Sequence, residues 1–280
     1  MTSSKKNKVY LAKIGLLKTK WSRPLPSEPS LVTVILDRAN RYFLSFVVEI
    51  KPKIITASNE LVGIDLGISI FAALSNSEKV YAPDYSKIER KIKRTQKRLS
   101  KREKGSQRRE KIRIKLAELK AKVAAIRKDF LDKLSTRLIK ENQILSLEDL
   151  NTLGMLKNRK LSRAISQAGW QMFRHMCQAK ANLFARDVRI IDRWQPTSQV
   201  CSSCHYKWGK LCLSIREIVC INCHTRHCRD LNSAKLIDSI GVGHIHDLKR
   251  TGMKCQTVLT AVSDEPSTRK VESEQLTLPV

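Results

Sequence analysis

An α/β fold with a small cysteine-built module near its end is predicted by three features of the chain. Apolar runs around residues 61–66, 144–147 and 188–194 have the near-continuous composition of strands buried on both faces. Between them, apolar residues step by three or four, the spacing of helices that pack on such strands. Cys201 with Cys204, and Cys220 with Cys223, form two C-x-x-C pairs separated by fifteen residues.

A chain of 280 residues can hold one large or two modest domains with a real core. Its 54 Lys and Arg stand against 26 Asp and Glu, a net charge of +28 that exceeds what solubility needs and points to a polyanionic partner. A membrane surface is the competing polyanion, yet no apolar run reaches the roughly 18 residues of a spanning helix. The basic helices also lack the aromatic face of an interfacial helix. Nucleic acid is the better reading. The opening MTSSKKNK is polar, with no apolar stretch behind it, so a cytoplasmic location and reduced thiols are expected.

Residues 8–21 and 31–51 alternate in VTVILD and YFLSFVVEI and are separated by the turn-prone SRPLPSEPS, so they read as antiparallel strands of a β-module. No titratable cluster falls there, and a plain platform is the simplest account of it. Residues 52–59 read as a linker. ELVGIDLG then places Asp65 inside an apolar strand, where an unpaired carboxylate must neutralise, pair or bind a cation. Two further strands follow, ISIFAALS and KVYAP, joined by a turn at Asn76-Ser77.

Residues 87–128 carry nineteen Lys or Arg against four Glu. Such a run is often only a solvated face. Here Ile88, Ile92 and Leu99, then Ile112, Leu116, Leu119, Val123, Ile126, Phe130 and Leu134, supply an apolar seam broken at Gly105-Ser106. The pattern predicts a helical hairpin whose outer face tracks phosphates. Lys91, Arg94, Lys97, Arg98, Lys101, Arg102, Arg108, Arg109 and Lys111 are its candidate contacts.

ENQILSLEDL is the next strand, ending in Glu148 and Asp149, and residues 151–159 read as a polar loop. Leu161, Ile165, Trp170, Phe173, Met176 and Leu183 give residues 161–185 helical spacing, with Trp170 as a core anchor. VRIIDRW is a last strand. DLNSAKLIDS reads as a helix with Asp230 at its start, and past Gly241 a tail with little order is expected.

Two-residue gaps within each cysteine pair and a fifteen-residue loop between pairs are the spacing of a four-thiolate zinc ribbon. Cys212, Cys228, His205, His224 and His227 lie close enough in sequence to be alternative ligands, whereas Cys177 and Cys255 look like ordinary small apolar residues. Asp65, Glu148 and Asp230 each stand at the end of an element. Three such acids suit two magnesium or manganese ions about 4 Å apart, an arrangement that hydrolyses phosphodiesters.

GIDLGI at Asp65, LEDLNTLGMLKNRKLSRAISQAGW from Glu148, CSSC with CINC, and RDLNSA at Asp230 together resemble the OrfB/TnpB family encoded by bacterial insertion sequences, to which the type V CRISPR effectors are related. The resemblance runs from about Val9 to Ala234. It implies a RuvC-like nuclease domain of ribonuclease-H fold, interrupted by a basic helical insertion and a zinc ribbon, after a β-barrel-like wedge module. It also implies an RNA-guided DNA endonuclease, with DNA and a guide RNA as partners, catalytic acids at Asp65, Glu148 and Asp230, and zinc on Cys201, Cys204, Cys220 and Cys223. The expected divisions are a partial wedge over 1–55, the nuclease domain over 56–195 with its hairpin at 86–140, the ribbon over 196–227, a last nuclease segment over 228–242 and the tail over 243–280.

Three departures stand out against that family. Its members carry additional N-terminal residues, so this chain is expected to be N-terminally truncated. They place Gly where His205 and His224 stand, and an acid where Cys228 stands. Two competing readings follow. One is a guide-RNA or DNA binder that does not cut. The other is a strand-transferring transposase, against which the order Asp, Glu, Asp counts, since strand-transfer enzymes typically run Asp, Asp, Glu.

Overall fold

The computed structural model describes residues 8–52, 55–56, 60–212, 214–245 and the backbone of 277–278. The chain divides into two compact units, one of residues 1–51, 92–119 and 264–280, the other of residues 52–91 and 120–263.

In the first unit β1 (Lys8–Leu11) and β2 (Gly15–Lys18) form an antiparallel hairpin. β3 (Leu31–Leu36) pairs antiparallel with β4 (Tyr42–Val47). The turn between β3 and β4 is fixed by Asp37, whose carboxylate accepts from the amides of Ala39 and Arg41 and from the Arg41 guanidinium. Val9, Leu11, Leu44, Phe46 and Val48 make a small core, on which Trp21 stacks at 5.5 Å from Phe46.

The second unit is built on a five-stranded mixed sheet. β5 (Leu61–Leu66) lies at its centre, antiparallel to β6 (Ala72–Leu74), which pairs with β7 (Lys79–Val80). α1 (Ser86–Ser100) and α2 (Gln107–Glu141) follow, separated at 101–106, with residues 92–119 falling in the first unit. β8 (Ile144–Glu148) returns parallel to β5. α3 (Thr152–Met155), α4 (Ser162–Ala168) and α5 (Trp170–Phe184) follow. β9 (Asp187–Ile191) completes the sheet parallel to β8. A hairpin of β10 (Glu217–Val219) and β11 (Arg226–Cys228) precedes α6 (Arg229–Gly241). Sheet order is β7-β6-β5-β8-β9.

Period-two alternation sorts the central strands into two faces. Val62, Ile64, Leu145 and Leu147 join Leu131, Leu138, Phe173 and Cys177 in the main core, where Phe71 meets Phe130 and Phe173 edge to face. The opposite face carries Gly63 and Asp65 on β5, and Ser146 and Glu148 on β8. α6 packs there at very short range. A Cβ on Gly63 would fall 2.2 Å from the Ala234 carbonyl oxygen and 2.4 Å from the Asp238 amide, and one on Gly241 would fall 1.9 Å from Ser146 Oγ. Gly63→Ala is therefore expected to cost about 3 kcal/mol, the upper range for overpacking, because the obstruction is backbone that cannot rotate away. Chemical denaturation reads the loss; a cost under about 1 kcal/mol would show that α6 can retreat freely.

Two expected elements differ. Residues 161–185 are two helices, because Gly169 takes a left-handed φ of 69° that ends α4 and starts α5. A β-carbon at Gly169 would press on the side chains of Arg127 and Leu131, so sterics as well as φ favour glycine. Residues 151–159 contain the short helix α3, capped by Asn151, whose side chain accepts from the Gly154 amide at 3.0 Å. The expected unstructured tail falls mostly on residues 246–276 and 279–280, outside the described residues, and so does Cys255. Thr277–Leu278 pairs as a strand, β12, with β4. No helix among the described residues is long and apolar enough to cross a membrane.

Candidate active site and thiolate centre

Asp65 and Glu148 sit near the C-terminal ends of adjacent parallel strands, one position beyond the paired Ile64 and Leu147. Both therefore project from the face that α6 covers. α6 crosses that face at close range, with Ala234 and Asp238 over Gly63 and Gly241 over Ser146 on the neighbouring strand.

The electrostatics of Asp65 register both of the other acids. Burial, then the neighbouring Glu148 and Asp230 carboxylates, push Asp65 well above the usual carboxylate range, with Arg229 and Arg216 opposing. Burial raises Glu148 too, against a hydrogen bond from Thr197. Asp230 pairs with Arg216 at 3.1 Å. Asp65, Asp230 and Arg216 line a cleft of about 370 Å³ together with Gly67, Met155 and Trp170. Glu148 lines the adjoining crevice, which shares Leu66 and Trp170 with that cleft. Asp149, the other acid of the strand end, is engaged elsewhere. Arg174 at 2.7 Å and Arg193 both pair with it and hold it below the ordinary carboxylate value.

Beside this cleft, Cys201, Cys204, Cys220 and Cys223 come together with their sulfurs all within 4.8 Å of one another. Sγ of Cys201 lies 3.7 Å from that of Cys223, and Sγ of Cys204 lies 3.6 Å from that of Cys220. These separations far exceed a disulfide's roughly 2 Å bond. A tetrahedral metal with thiolate bonds of about 2.3 Å would space sulfurs by about 3.8 Å, so the quartet fits a structural metal. Burial pushes the Cys201 thiol up to about 12, while contacts from Thr225 draw Cys223 down to about 6.

The other residues considered as ligands have different places. His227 is buried, with Nε2 3.1 Å from Cys201 Sγ, a neighbour of one ligand. Cys228 precedes α6 at its N-cap, and its thiol holds the Lys79 ammonium above the usual lysine value. Cys212 is exposed in the loop, and Cys177 is buried in the main core.

His205 and His224 each follow a cysteine pair with a left-handed φ, 59° and 56°, and each amide donates back to the first cysteine's carbonyl. The knuckle turn thus needs a conformation in which glycine is at ease and most residues are strained. Histidine is among the more tolerant exceptions. His205→Gly is expected to raise the unfolding free energy of the metal-loaded protein by about 1 kcal/mol, measured by denaturant titration. Destabilisation instead would assign the imidazole a contact of its own.

Of the candidate phosphate contacts, Lys91, Arg94, Lys97, Arg98, Lys101, Arg102, Arg108 and Lys111 are exposed on α1, α2 and the segment between them. Arg109 is part-buried. Its guanidinium donates to the carbonyls of Leu99 and Arg102 at 2.8 Å, closing the end of α1. Sequence reasoning missed two residues that touch the site, Thr197 and Asn232; a small polar residue four places before Cys201, and an amide two places after the helix acid, were the available signals.

Fold and site together define a mixed α/β protein in which an acidic cleft abuts a four-thiolate centre. Residues 45–159 match the OrfB_IS605 model, described as a probable transposase, and residues 170–237 match the Cas12f1-like TNB domain. The chain carries an OrfB_IS605 transposase domain and a Cas12f1-like TNB domain, in line with the OrfB/TnpB resemblance of its motifs. Relatives bearing the name "Putative RNA-guided DNA endonuclease" include one from Streptomyces pristinaespiralis, 42% identical over 229 residues, which are 81% of this chain and 57% of the relative. Another, InsQ of Escherichia coli (strain K12), is 26% identical over 257 residues, 85% of this chain and 62% of the relative. This chain thus spans less than two thirds of their length. A solved chain titled "Cryo-EM structure of the Cas12f1-sgRNA-target DNA complex" is similar at 14% identity and a TM-score of 0.44, over 74% of this chain and 55% of that one.

Proposed function

We propose that the second unit is a RuvC-like nuclease domain of ribonuclease-H type, and that the chain is an RNA-guided DNA endonuclease working by two-cation phosphodiester hydrolysis. The observation that supports this reading is that Asp65, at a strand end beside Glu148, lies within electrostatic reach of both Glu148 and Asp230 and shares a cleft with Asp230. Their oxygens are hard donors suited to magnesium or manganese, and the thiolates nearby do not compete for such ions. Two divalent cations held there would supply an activated water and neutralise charge on the leaving oxygen.

The protein's own groups set the terms for that chemistry. Asp65, raised by burial and by like charge, and Glu148, raised by burial, gain most from a cation. Arg216 on the rim neutralises Asp230 and presents a guanidinium of the kind that binds phosphate oxygens bidentately. Exposed cations of α1 and α2 offer a phosphate-tracking surface for the nucleic-acid partner, whose affinity should fall steeply with salt. Cys201, Cys204, Cys220 and Cys223 would hold zinc as a structural ion that keeps the N-terminus of α6 in place. The test is plasmid cleavage in magnesium by purified protein co-expressed with its flanking genomic RNA. Cutting that requires the RNA and the cation supports the reading. Tight RNA binding with no cutting would support a binder in its place, and magnesium-dependent cutting without RNA would remove the guide.

A further inference from the structure

Glu148 is the one member of the acid triad that receives a hydrogen bond from a neutral side chain. The Thr197 hydroxyl donates to Glu148 Oε1 at 2.7 Å. Thr197 is buried and sits in a single 3-10 turn, Thr197–Gln199, immediately before the first cysteine pair. That turn is fixed from α6. The buried Asn232 donates through Nδ2 to the Val200 carbonyl at 2.7 Å and, at 3.4 Å, to the Thr197 carbonyl, while its Oδ1 accepts from the Ser202 amide at 2.8 Å. Asn232 thus uses every polar atom of its amide to seat the first knuckle, half a turn along the helix from Asp230.

From this network we infer that Thr197 is a positioning residue for Glu148, with Asn232 as the clamp that joins it to the helix acid and the thiolate centre. A carboxylate at a strand end can turn about its own torsions, and one fixed oxygen restricts where the other can lie. Burial alone would not select a rotamer; a hydroxyl at 2.7 Å does. The same turn begins the chain that supplies Cys201, so the position of Glu148 depends on the knuckle being seated. Groups that support a metal ligand from behind in this way typically govern its affinity by about 10–100-fold.

The inference rests on the two-cation reading of the acids, and the experiment separates the two. Manganese binding to the purified, zinc-loaded chain is measured by calorimetry for wild type, Thr197→Val, Thr197→Ser and Glu148→Gln, alongside thermal melting of each. Thr197→Val keeps the side-chain volume and removes the hydroxyl, so manganese affinity is expected to fall by about tenfold. Thr197→Ser restores the donor and should bind within about twofold of wild type, a smaller change than loss of a second-layer ligand partner produces. A lowered melting temperature in Thr197→Val with unchanged manganese affinity would overturn the positioning role and leave only a packing one. So would an equal loss in Thr197→Ser. If Glu148→Gln binds manganese as wild type does, or wild type binds none, the acid-site reading itself fails and this inference falls with it.

Discussion

Asp65→Asn is expected to abolish magnesium-dependent cleavage while making the cation-free protein more stable. Two consequences follow from one observation, that burial and two neighbouring carboxylates hold Asp65 well above the ordinary carboxylate range. A group so placed is kept for its charge and is costly until a cation arrives. Asparagine keeps the shape and deletes the charge. Cleavage should fall by about a thousandfold or more, the scale of losing a principal electrostatic group at a reacting centre. In chelator, unfolding free energy should rise by about 1 kcal/mol, the usual exchange of stability against function. Binding of nucleic acid to the exposed cations of α1 and α2 should be unchanged. The pH dependence has a definite sign. A carboxyl whose folded pKa lies above its unfolded value binds more protons when folded, so it adds stability as pH falls through the folded value toward the ordinary range near 4. Wild type in chelator should therefore gain stability across that window, and the variant should lack that part of the gain. Metal-dependent cutting retained by Asp65→Asn would defeat the assignment of the site.

The parts of this protein that the sequence displays are those fixed by composition at close range. Asp65 and Glu148 announce themselves because an acid ending an apolar run is energetically conspicuous. The cysteine pairs do so because ligand bite fixes their spacing. A subtler signal was also present: V-G-I-D and L-S-L-E share a pattern in which large apolar residues alternate with a small residue and then an acid. Read as continuous apolar runs, both strands look buried on two equivalent faces. The alternation separates a face that packs on α2 and α5 from a face that α6 approaches closely enough to exclude a β-carbon at Gly63. What stays hidden depends on partners distant in sequence. Asp149 is as acidic as Glu148, and only Arg174 and Arg193 divert it. Arg109 looks like one more phosphate contact until α1 ends against it. His205 and His224 look like ligands because a histidine beside a cysteine pair fits zinc chemistry, whereas backbone dihedrals put them at the turn of each knuckle. Gly169 inside a helical pattern was a visible warning of the break between α4 and α5.

Cys201→Ser is the second large effect to expect: loss of bound zinc, a markedly lower melting temperature and loss of cleavage with all three acids still in the chain. Cys201 is fully buried, its sulfur lies against those of Cys223 and His227's ring, and its amide donates to the Tyr206 carbonyl. A hydroxyl there is a poor ligand for a thiolate-selecting ion and leaves three sulfurs gathered without the charge that gathered them. Ribbons of this size have little apolar core of their own; in zinc-finger peptides metal binding contributes about 10–16 kcal/mol to folding, so losing it unfolds the module. Disorder in the knuckle does not stop there. Ser202 and Val200 are the groups to which Asn232 bonds, and Asn232 is on the first turns of α6 with Asp230. Releasing them frees the turn that holds Thr197 and, through it, Glu148. Zinc content, melting and cleavage should therefore fall together in Cys201→Ser. All three should hold in Cys212→Ser, whose sulfur lies outside the quartet in an exposed part of the loop. A Cys201→Ser protein that melts as wild type and keeps its metal would place the ion elsewhere; one that loses zinc yet cleaves at the wild-type rate would show that α6 holds Asp230 by its packing on Gly63 alone.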